Sequence, residues 1–489
     1  MKHLTFLILT FFSFQFIISQ NISVQLIEKS SNEPIPFASV RTGEHRGVIS
    51  NEEGYFTINL NDLENNSIKI SCMGYLDKTI DLETLKKEDY IIKLEQVLNQ
   101  LNTVYISNKR PNIDSIIARA KSNVKTNYST SLKKYHLFSR TTNYVDFENL
   151  DFEIDKATHV SKQKLAQANT DLQALTKAIM NSETIHFTDF KGTLYAKRLD
   201  STKLVVDKAT KLLDHNKNFS LKNVQERAQH ILLSYLDTTK TYKVKTGLFK
   251  VEDSLSLAKE LKEEQKREQK QELGVNSLKG DVISPINRSQ YMLYNLLDTK
   301  LYDHEIDDVT TYNGNLTYVI SYKPRKGKAK LSGKLFISDS DYAITRINFG
   351  YFENRHGRKL NLKLILGVKY EDNLYNGTII YEKQKDNFYQ PKYTNIETGS
   401  YFYVSRDLTL IQNSKERYKL STDFKIEGSV RYKKELLISS TENMTRDQYK
   451  NITQEKNVPY QTLTKFDNSI WNNEETLEPL QEMKEFGVE

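Results

Sequence analysis

Between residues 21 and 95 the chain repeats one pattern, a short run of β-forming residues followed by a cluster of turn residues. The runs ISVQLIE, IPFASVRT, YFTINL and SIKISCMGYL alternate with stretches such as SSNEP, NEEG and NDLENN. Strands spaced at ~8–12 residues with polar turns between them indicate an all-β sandwich. Gly54 closes the NEEG turn, which favours a residue that accepts positive φ. The predicted core is Phe37, Val40, Phe56, Ile58, Ile68, Ile70, Tyr75 and Ile80.

An apolar run opens the chain. Lys2 and His3 precede LTFLILTFFSFQFII at residues 4–18, and Ser19 follows as a small residue. This order predicts a secretory signal peptide over residues 1–19. The run is about 15 residues long, shorter than the ~20 that span a bilayer as a helix. An uncleaved membrane anchor is the alternative. No other stretch is long and apolar enough, so we expect no transmembrane helix after signal removal.

Cysteine usage and charge restrict the compartment and the partners. Cys72 is the only cysteine, which excludes an intramolecular disulfide, and its place in IKISCMGYL predicts a small core residue. Export without disulfides indicates a bacterial envelope protein, periplasmic or associated with the outer membrane. The net charge of +7 is spread along a chain in which both signs are interspersed. We therefore expect no nucleic-acid partner.

Three motifs occur in a fixed order in the N-terminal segment: PIPFASV at 34–40, SNEEGYF at 50–56 and ISCMGY at 70–75. Together they resemble the carboxypeptidase-regulatory-like domain, a transthyretin-like sandwich common in exported proteins of the Bacteroidota. LNTVYI at 101–106 resembles the strand that often follows in such proteins. The resemblance implies an accessory interaction module, because the regulatory domain accompanies peptidase domains but carries no catalytic residues itself.

Motifs for the common hydrolytic chemistries are missing. None of the nine histidines has a glutamate three residues later, as the zinc site of a carboxypeptidase requires. The chain also has no HExxH, no GxSxG and no glycine-rich phosphate loop. We therefore predict a non-enzymatic protein with no catalytic, cofactor-binding or metal-binding residues and no cofactor. An enzyme of unrecognised type remains an alternative.

Residues 111–289 are predicted to be rich in helices. One helical face is formed by Ile113, Ile116, Ile117, Ala120 and Val124. A second helix is expected from about 160 to 181, and further helices within 197–238 with an apolar face of Ala228, Ile231, Leu232 and Leu236. Tyr135 to Phe147 has the pattern of a strand. The segment 258–273, AKELKEEQKREQKQEL, is a solvated helix or linker, or alternatively a partner-binding segment.

From about Gln290 the pattern becomes β, with runs such as LTYVISYKP and LYNGTIIYEKQ, and Asp339-Ser340-Asp341 is a natural hairpin turn. Together with the helices, these strands predict an α+β region with a large antiparallel sheet. Lys330 to Phe349 resembles the late strands of lipoprotein-carrier-like half-barrels, which implies a curved sheet around an acyl chain. In the C-terminal tail we expect Trp471, the only tryptophan, to pack against the body.

Two charged regions are candidate binding elements. DHEIDD at 303–308 offers oxygen ligands for Ca²⁺ but lacks the order of an EF-hand loop, so a solvated turn is expected. The basic loops lie at Lys323 to Lys330 and at Arg355, His356, Arg358 and Lys359. They can contact lipid headgroups or lipopolysaccharide phosphates, with ordinary solvated loops as the alternative.

The sequence thus predicts a multidomain fold, with an all-β N-terminal sandwich of transthyretin type followed by an α+β region. Its predicted segments are a signal peptide (1–19), the sandwich (20–96), a linker strand (97–110), a helix-rich region (111–289), a β-rich region (290–445) and a tail (446–489). The predicted function is that of an exported binding or scaffold module with an envelope protein or lipid partner. An outer-membrane β-barrel with a periplasmic regulatory-like module is a second possibility.

Overall fold

The structure of the chain is a computed structural model. It describes residues 21–44, 46–60, 63–97, 112–128, 132–182, 184–198, 201–213, 219, 224, 226–228, 230–231, 235–247, 249–256, 272–472 and 474–487. The signal peptide, the LNTVYI strand, Leu232 and nearly all of the charged segment 258–273 are predictions that lie outside these residues. Among the described helices, none has the length and apolarity needed to cross a membrane.

Strands dominate the described part of the chain. They are β1 Asn21–Glu28, β2 Ser39–Arg41, β3 Gly47–Ile49, β4 Tyr55–Asn59, β5 Ser67–Ser71, β6 Lys78–Asp81, β7 Ile91–Leu94, β8 Lys133–Ala157, β9 Thr184–Arg198, β10 Ser201–Leu212, β11 Thr241–Thr246, β12 Phe249–Ser256, β13 Glu272–Gly274, β14 Tyr302–Tyr312, β15 Asn315–Pro324, β16 Leu331–Ser338, β17 Ile344–Tyr351, β18 Lys359–Leu362, β19 Val368–Lys383, β20 Tyr389–Gln412, β21 Lys419–Asn443, β22 Asn457–Pro459 and β23 Gln461–Leu463. The helices are α1 Leu82–Lys87, α2 Ile113–Asn127, α3 Lys162–Met180, α4 Val275–Asn295, α5 Lys363–Leu366, α6 Arg446–Asn451 and α7 Gln481–Lys484, with 3-10 turns at Glu64–Asn66 and Asn468–Trp471.

The first of two compact units contains the described residues up to Gln96 together with those of Asp467–Lys484. It has a three-stranded sheet in the order β4-β1-β7 and a four-stranded sheet in the order β3-β2-β5-β6, as expected for a sandwich. Six predicted core residues are buried: Val40, Phe56, Ile58, Ile68, Ile70 and Ile80. The predicted core was wrong at Phe37 and Tyr75, which are only half-buried.

The turns of this unit explain which predictions for it were correct and which were wrong. Phe37 has a φ of 60° just before β2, which interrupts the strand alternation, and Ile35 and Ala38 are buried instead. Gly54 has the predicted positive φ, 76°. A Cβ at that position would lie 2.5 Å from the carbonyl oxygen of Leu26, so glycine is required there. Cys72 is buried, as predicted.

The C-terminal segment 467–484 completes this first unit, although we predicted it as part of a separate tail. Glu478 is only 7% exposed. Its carboxylate accepts hydrogen bonds from the hydroxyls of Ser23 (3.1 Å) and Thr57 and pairs with Lys484 at 2.8 Å. The amide of Asn51 donates to the carbonyl oxygens of Glu478 and Pro479 at 3.4 and 3.3 Å. Sequence pattern does not reveal such a contact, because its partners are more than 400 positions apart.

Replacing Glu478 by alanine is expected to lower the free energy of unfolding of the first unit by about 1–3 kcal/mol, because the hydroxyls of Ser23 and Thr57 lose their charged acceptor and Lys484 loses its ion-pair partner. Trp471 is buried in the same segment, so tryptophan fluorescence during urea unfolding reports this unit. Glu33→Ala, at an exposed site of the unit, is the control and should cost no more than about 0.5 kcal/mol. Equal midpoints for the two variants would contradict this role.

The described residues of the second unit, Val97–Phe466 with Glu485–Glu489, contain one large sheet and a small two-stranded sheet of β13 and β22. The path of the large sheet is β14-β15-β16-β17-β19-β20-β21-β8-β9-β10-β23, with β11 added to β20, β12 to β11 and β18 to β19. All pairs are antiparallel except β10 with β23, so the sheet is mixed rather than purely antiparallel as predicted. β8 and β21 each run for 25 residues, and bulges at three places adjust their register.

Helices α2, α3 and α4 pack on this sheet through apolar faces. The predicted face of α2 is confirmed, with Ile116, Ile117, Ala120 and Val124 buried. The C-terminal half of α4 shares their core cluster through Met292 and Leu293, and its N-terminal half packs against a neighbouring cluster that includes Phe190 and Leu436. The helix predicted at about 160–181 is α3, whose buried residues Ala168, Leu172 and Ile179 contact the far ends of the long strands.

The prediction of a helix-rich region at 111–289 was wrong in part, because strands β8 to β13 lie within it. Residues 201–212 were expected to be helical but form β10, which pairs with β9 along its whole length. Val205, Val206 and Thr210 favour a strand, and tertiary pairing overrides the weak helix propensity of KATKL. The boundary at 290 was also wrong, since α4 continues to Asn295.

His186 on β9 makes stability depend on pH. Burial, reinforced by the positive charge of Lys211, lowers the pKa of His186 from 6.5 to about 4. Between these pH values His186 binds a proton in the unfolded chain but not in the folded chain. The contribution of neutral His186 to the free energy of unfolding is therefore complete above pH 6.5 and is lost as the pH falls toward about 4. His186→Gln is expected to flatten the free energy of unfolding across this window, whereas exposed His230→Gln should keep the slope. An unchanged slope for His186→Gln would contradict the prediction.

Candidate binding groove

A groove of about 460 Å³ lies between the C-terminal half of α4 and residues of strands β14, β16 and β19 of the large sheet. This volume falls in the range of ~300–1,000 Å³ that is common for ligand sites. The lining combines tyrosines, aliphatic side chains and two cations: Arg288, Tyr291, Met292, Asn295, Leu296, Leu301, Tyr302, Lys328, Ala329, Leu331 and Tyr375. We call it the α4 groove. Its wall is apolar, and its charged groups are both positive.

The amphipathic spacing of α4 explains how the groove forms. One face is buried in the core by Val275, Leu278, Val282, Ile286, Ser289, Met292 and Leu293. The adjacent face therefore points away from the core, and Tyr291 is 68% exposed there. Exposed aromatic side chains beside a concave surface are a common feature of binding sites. Pro285 lies inside the helix, one turn before the residues that line the groove.

Arg288 is held against the aromatic wall. Its guanidinium carbon lies 5.0 Å from the centroid of the Tyr375 ring, which in turn contacts Phe349 at 4.9 Å and Tyr351 at 5.8 Å. Burial raises the pKa of the Tyr375 hydroxyl, and the hydrogen bond from Arg288 acts in the opposite direction. The pKa of Tyr302 is also raised by burial. Both tyrosines are therefore neutral hydrogen-bond donors at physiological pH.

The two predicted basic loops meet at this groove. Lys330 Nζ donates to the carbonyl oxygens of His356 at 2.7 Å and Gly357 at 3.1 Å. Arg355 Nη1 donates in return to the carbonyls of Lys326 at 2.8 Å, Gly327 and Ala329. Their contacts hold segments 323–330 and 355–359 side by side, and we call them together the basic rim.

The cations of the rim and groove differ in whether they form an ion pair. Arg325 pairs with Asp303 at 2.7 Å, and Arg358 and Lys359 pair with Asp372 and Glu371 at 3.0 Å each. Within the described part of the chain, however, no carboxylate lies within 4 Å of Arg288, Lys326 or Lys328. The groove therefore presents positive charge to an incoming group.

The acidic segment DHEIDD does not form the predicted solvated turn, because residues 303–308 lie in β14. The side chains along this strand have separate partners: Asp303 pairs with Arg325 and Asp307 with Lys334 at 3.2 Å, while His304 Nε2 contacts the carbonyl oxygen of Leu296 at 2.7 Å. Among the described residues, no group of three His, Cys, Asp or Glu side chains is arranged to hold a metal ion. The Asp339-Ser340-Asp341 hairpin is confirmed between β16 and β17.

The first unit has a larger groove of about 870 Å³ with a different character. Its charges are balanced, with lysines 29, 78, 87 and 93 facing Asp77, Glu88, Asp89 and Glu95. Lys29 pairs with Glu95, and Lys78 lies 3.8 Å from Glu88. A groove whose charges neutralise each other favours neither sign of ligand, so the α4 groove is the stronger candidate.

Comparison with known protein families bears on the first unit. Residues 22–106 match the model of the CarboxypepD_reg-like domain. Residues 22–96 of this match belong to the first unit. The match agrees with the predicted resemblance and with the two small sheets, and in this chain the CarboxypepD_reg-like domain is joined by the segment 467–484 around Glu478. The match ends before α2, so the α4 groove lies outside it. A search of curated proteins found no match.

Sequence reasoning identified the basic rim but missed the groove beside it. Arg288, Tyr291, Tyr302 and Tyr375 were not singled out, because the segment was divided at residue 290 between a helical and a β region. A usable signal was present: Val275, Leu278, Val282, Ile286, Ser289 and Leu293 recur every three or four residues. Reading that period through Pro285 would have placed Tyr291 and Tyr294 on the exposed face of a helix.

Proposed function

We propose that this protein is an exported binding protein of the bacterial envelope that holds an amphipathic ligand in the α4 groove. The observation that carries the proposal is the basic rim on an apolar, tyrosine-lined groove. The wall suits an acyl chain, and Arg288, Lys326 and Lys328 suit an anionic headgroup such as a phosphate or carboxylate. The ligand class is therefore a lipid with a negatively charged head.

We propose that the protein acts by binding and does not catalyse a reaction. Catalysis by proton transfer works best with a group that titrates near the working pH. Burial instead raises the pKa of both groove tyrosines away from neutrality, and Arg288 is permanently charged. These groups are suited to hold an anion and its apolar chain.

The direct test is displacement of a fluorescent long-chain fatty acid from the delipidated protein. We expect saturable binding, with competition by phosphatidylglycerol and much weaker competition by an uncharged diacylglycerol. Leu331→Trp fills the α4 groove and should abolish binding. Leu76→Trp, which fills the groove of the first unit, is the matched control and should leave binding intact. Loss of binding in the Leu76 variant alone would contradict the proposal.

A further inference from the structure

A second apolar feature lies at the tip formed by β18 and α5. Leu360, Leu364 and Ile365 are 45%, 101% and 79% exposed. We call residues 360–366 the apolar tip. Exposed single aliphatic residues are ordinary on protein surfaces, but adjacent Leu364 and Ile365 at nearly full exposure form a projecting pair that needs an explanation.

The backbone of the apolar tip is fixed. Gly367 ends α5 with a φ of 60°, and its N–H donates to the carbonyl of Lys363 at 3.0 Å. Its own carbonyl accepts from the N–H of Ser405 on β20 at 2.8 Å. A Cβ at position 367 would lie 2.0 Å from the Ser405 carbonyl oxygen, so only glycine fits. The aliphatic side chains are therefore exposed on a turn that is anchored to the sheet.

Cations and tyrosines surround the tip. Lys363 Nζ lies 4.0 Å from the Tyr403 ring centroid, and Lys369 Nζ lies 4.5 Å from that of Tyr401. The segment 355–372 contains five Lys or Arg residues and two acidic ones. Protein segments that bind the interface of an anionic membrane commonly combine exposed aliphatic side chains with nearby lysines and tyrosines, as this tip does.

We infer that the apolar tip inserts into the interface of an anionic lipid bilayer. Leu364 and Ile365 would enter the boundary between headgroups and acyl chains, and Lys363 and Lys369 would lie at the level of the phosphates. A protein partner is less consistent with these residues, because lysine is depleted at protein–protein interfaces. This inference goes beyond the proposed function. Leu364 and Ile365, which would insert, belong to neither the α4 groove nor the basic rim, so either proposal can fail without the other.

The chain permits a site-specific test, because its only cysteine, Cys72, is buried. Ile365→Cys would be labelled with an environment-sensitive fluorophore and mixed with phosphatidylglycerol or phosphatidylcholine vesicles. We expect a blue-shifted, brighter emission with phosphatidylglycerol and a much smaller change with phosphatidylcholine. Val251→Cys, a 64% exposed aliphatic site on β12, is the control and should not respond. No response at 365, or an equal response at 251, would overturn the inference and leave a protein partner for the tip.

A binding measurement provides the second readout. Leu364→Glu with Ile365→Glu should weaken sedimentation with phosphatidylglycerol vesicles by about tenfold or more, because two aliphatic side chains that would enter the bilayer are replaced by charges that the anionic surface repels. Val251→Glu should bind like the parent. All variants keep residues 1–19, so any contribution of that apolar segment is common to them. Unchanged sedimentation of the double variant would overturn the inference, and fatty-acid displacement measures the α4 groove independently.

Discussion

Replacing Asp189 by alanine is expected to lower the free energy of unfolding by about 3–5 kcal/mol, because it leaves a buried guanidinium without its carboxylate. Arg140 Nε and Nη2 donate to the two oxygens of Asp189 at 3.0 and 2.8 Å. The side chains are 5% and 0% exposed, and they lie directly opposite each other on β8 and β9. The pair therefore joins two central strands of the large sheet in a water-poor environment.

An exposed ion pair gives the matched control for this loss. Lys450 and Asp447 are 3.3 Å apart on α6 with side chains 74% and 86% exposed. Asp447→Ala should cost at most about 1 kcal/mol, since solvent already screens the pair. Guanidinium unfolding followed by far-ultraviolet circular dichroism reports the strand-rich second unit. A loss below about 1 kcal/mol for Asp189→Ala would show that the buried pair does not stabilise the sheet.

Replacing Arg288 by glutamate is expected to weaken binding of an anionic lipid by about 10–100-fold, because the variant loses a charge-assisted hydrogen bond and adds repulsion. Binding of an uncharged lipid with the same acyl chain should change much less, since the apolar wall is unaltered. Titration calorimetry with the two ligands separates the effects. An equal loss of affinity for both lipids would mean that Arg288 maintains the shape of the groove and does not interact with the charge of the ligand.

Arg119 provides the matched control for this substitution. Like Arg288, it is an arginine on a helix whose guanidinium lies over a tyrosine ring, here Tyr342 at 5.2 Å. It belongs to α2 and does not line the α4 groove. Arg119→Glu should therefore leave the affinity for anionic lipid within about twofold of the parent. A loss of affinity as large as that of Arg288→Glu would show that the overall charge of the protein causes the effect, and it would contradict a specific binding site at Arg288.

Local patterns predicted much of this fold. The spacing of Ile116, Ile117, Ala120 and Val124 correctly predicted the buried face of α2, because an amphipathic helix repeats every 3.6 residues. The runs of β-forming residues between 21 and 95 indicated the sandwich, because strands and the turns between them also have local sequence patterns. Where a segment has its own hydrophobic period and its own turn residues, its sequence is sufficient to predict its secondary structure and its buried face.

The remaining features depend on non-local contacts. Residues 201–212 form β10 because β9 pairs with them, and segment 467–484 joins the first unit because Glu478 meets Ser23 and Thr57. A short stretch of sequence around residues 201–212 or around Glu478 does not reveal these pairing partners. For the candidate site, the charges of the basic rim were visible, but the tyrosines that complete it come from α4, β14 and β19.

Photocrosslinking would show directly whether the α4 groove holds an amphipathic anionic ligand. A phospholipid analogue with a photoreactive acyl chain and a phosphate head would be bound, irradiated and mapped by mass spectrometry. We predict saturable labelling within 288–302, 328–331 and around Tyr375, which unlabelled phosphatidylglycerol suppresses and Arg288→Glu reduces. Labelling confined to the groove of the first unit, between Ile27 and Glu95, would contradict it.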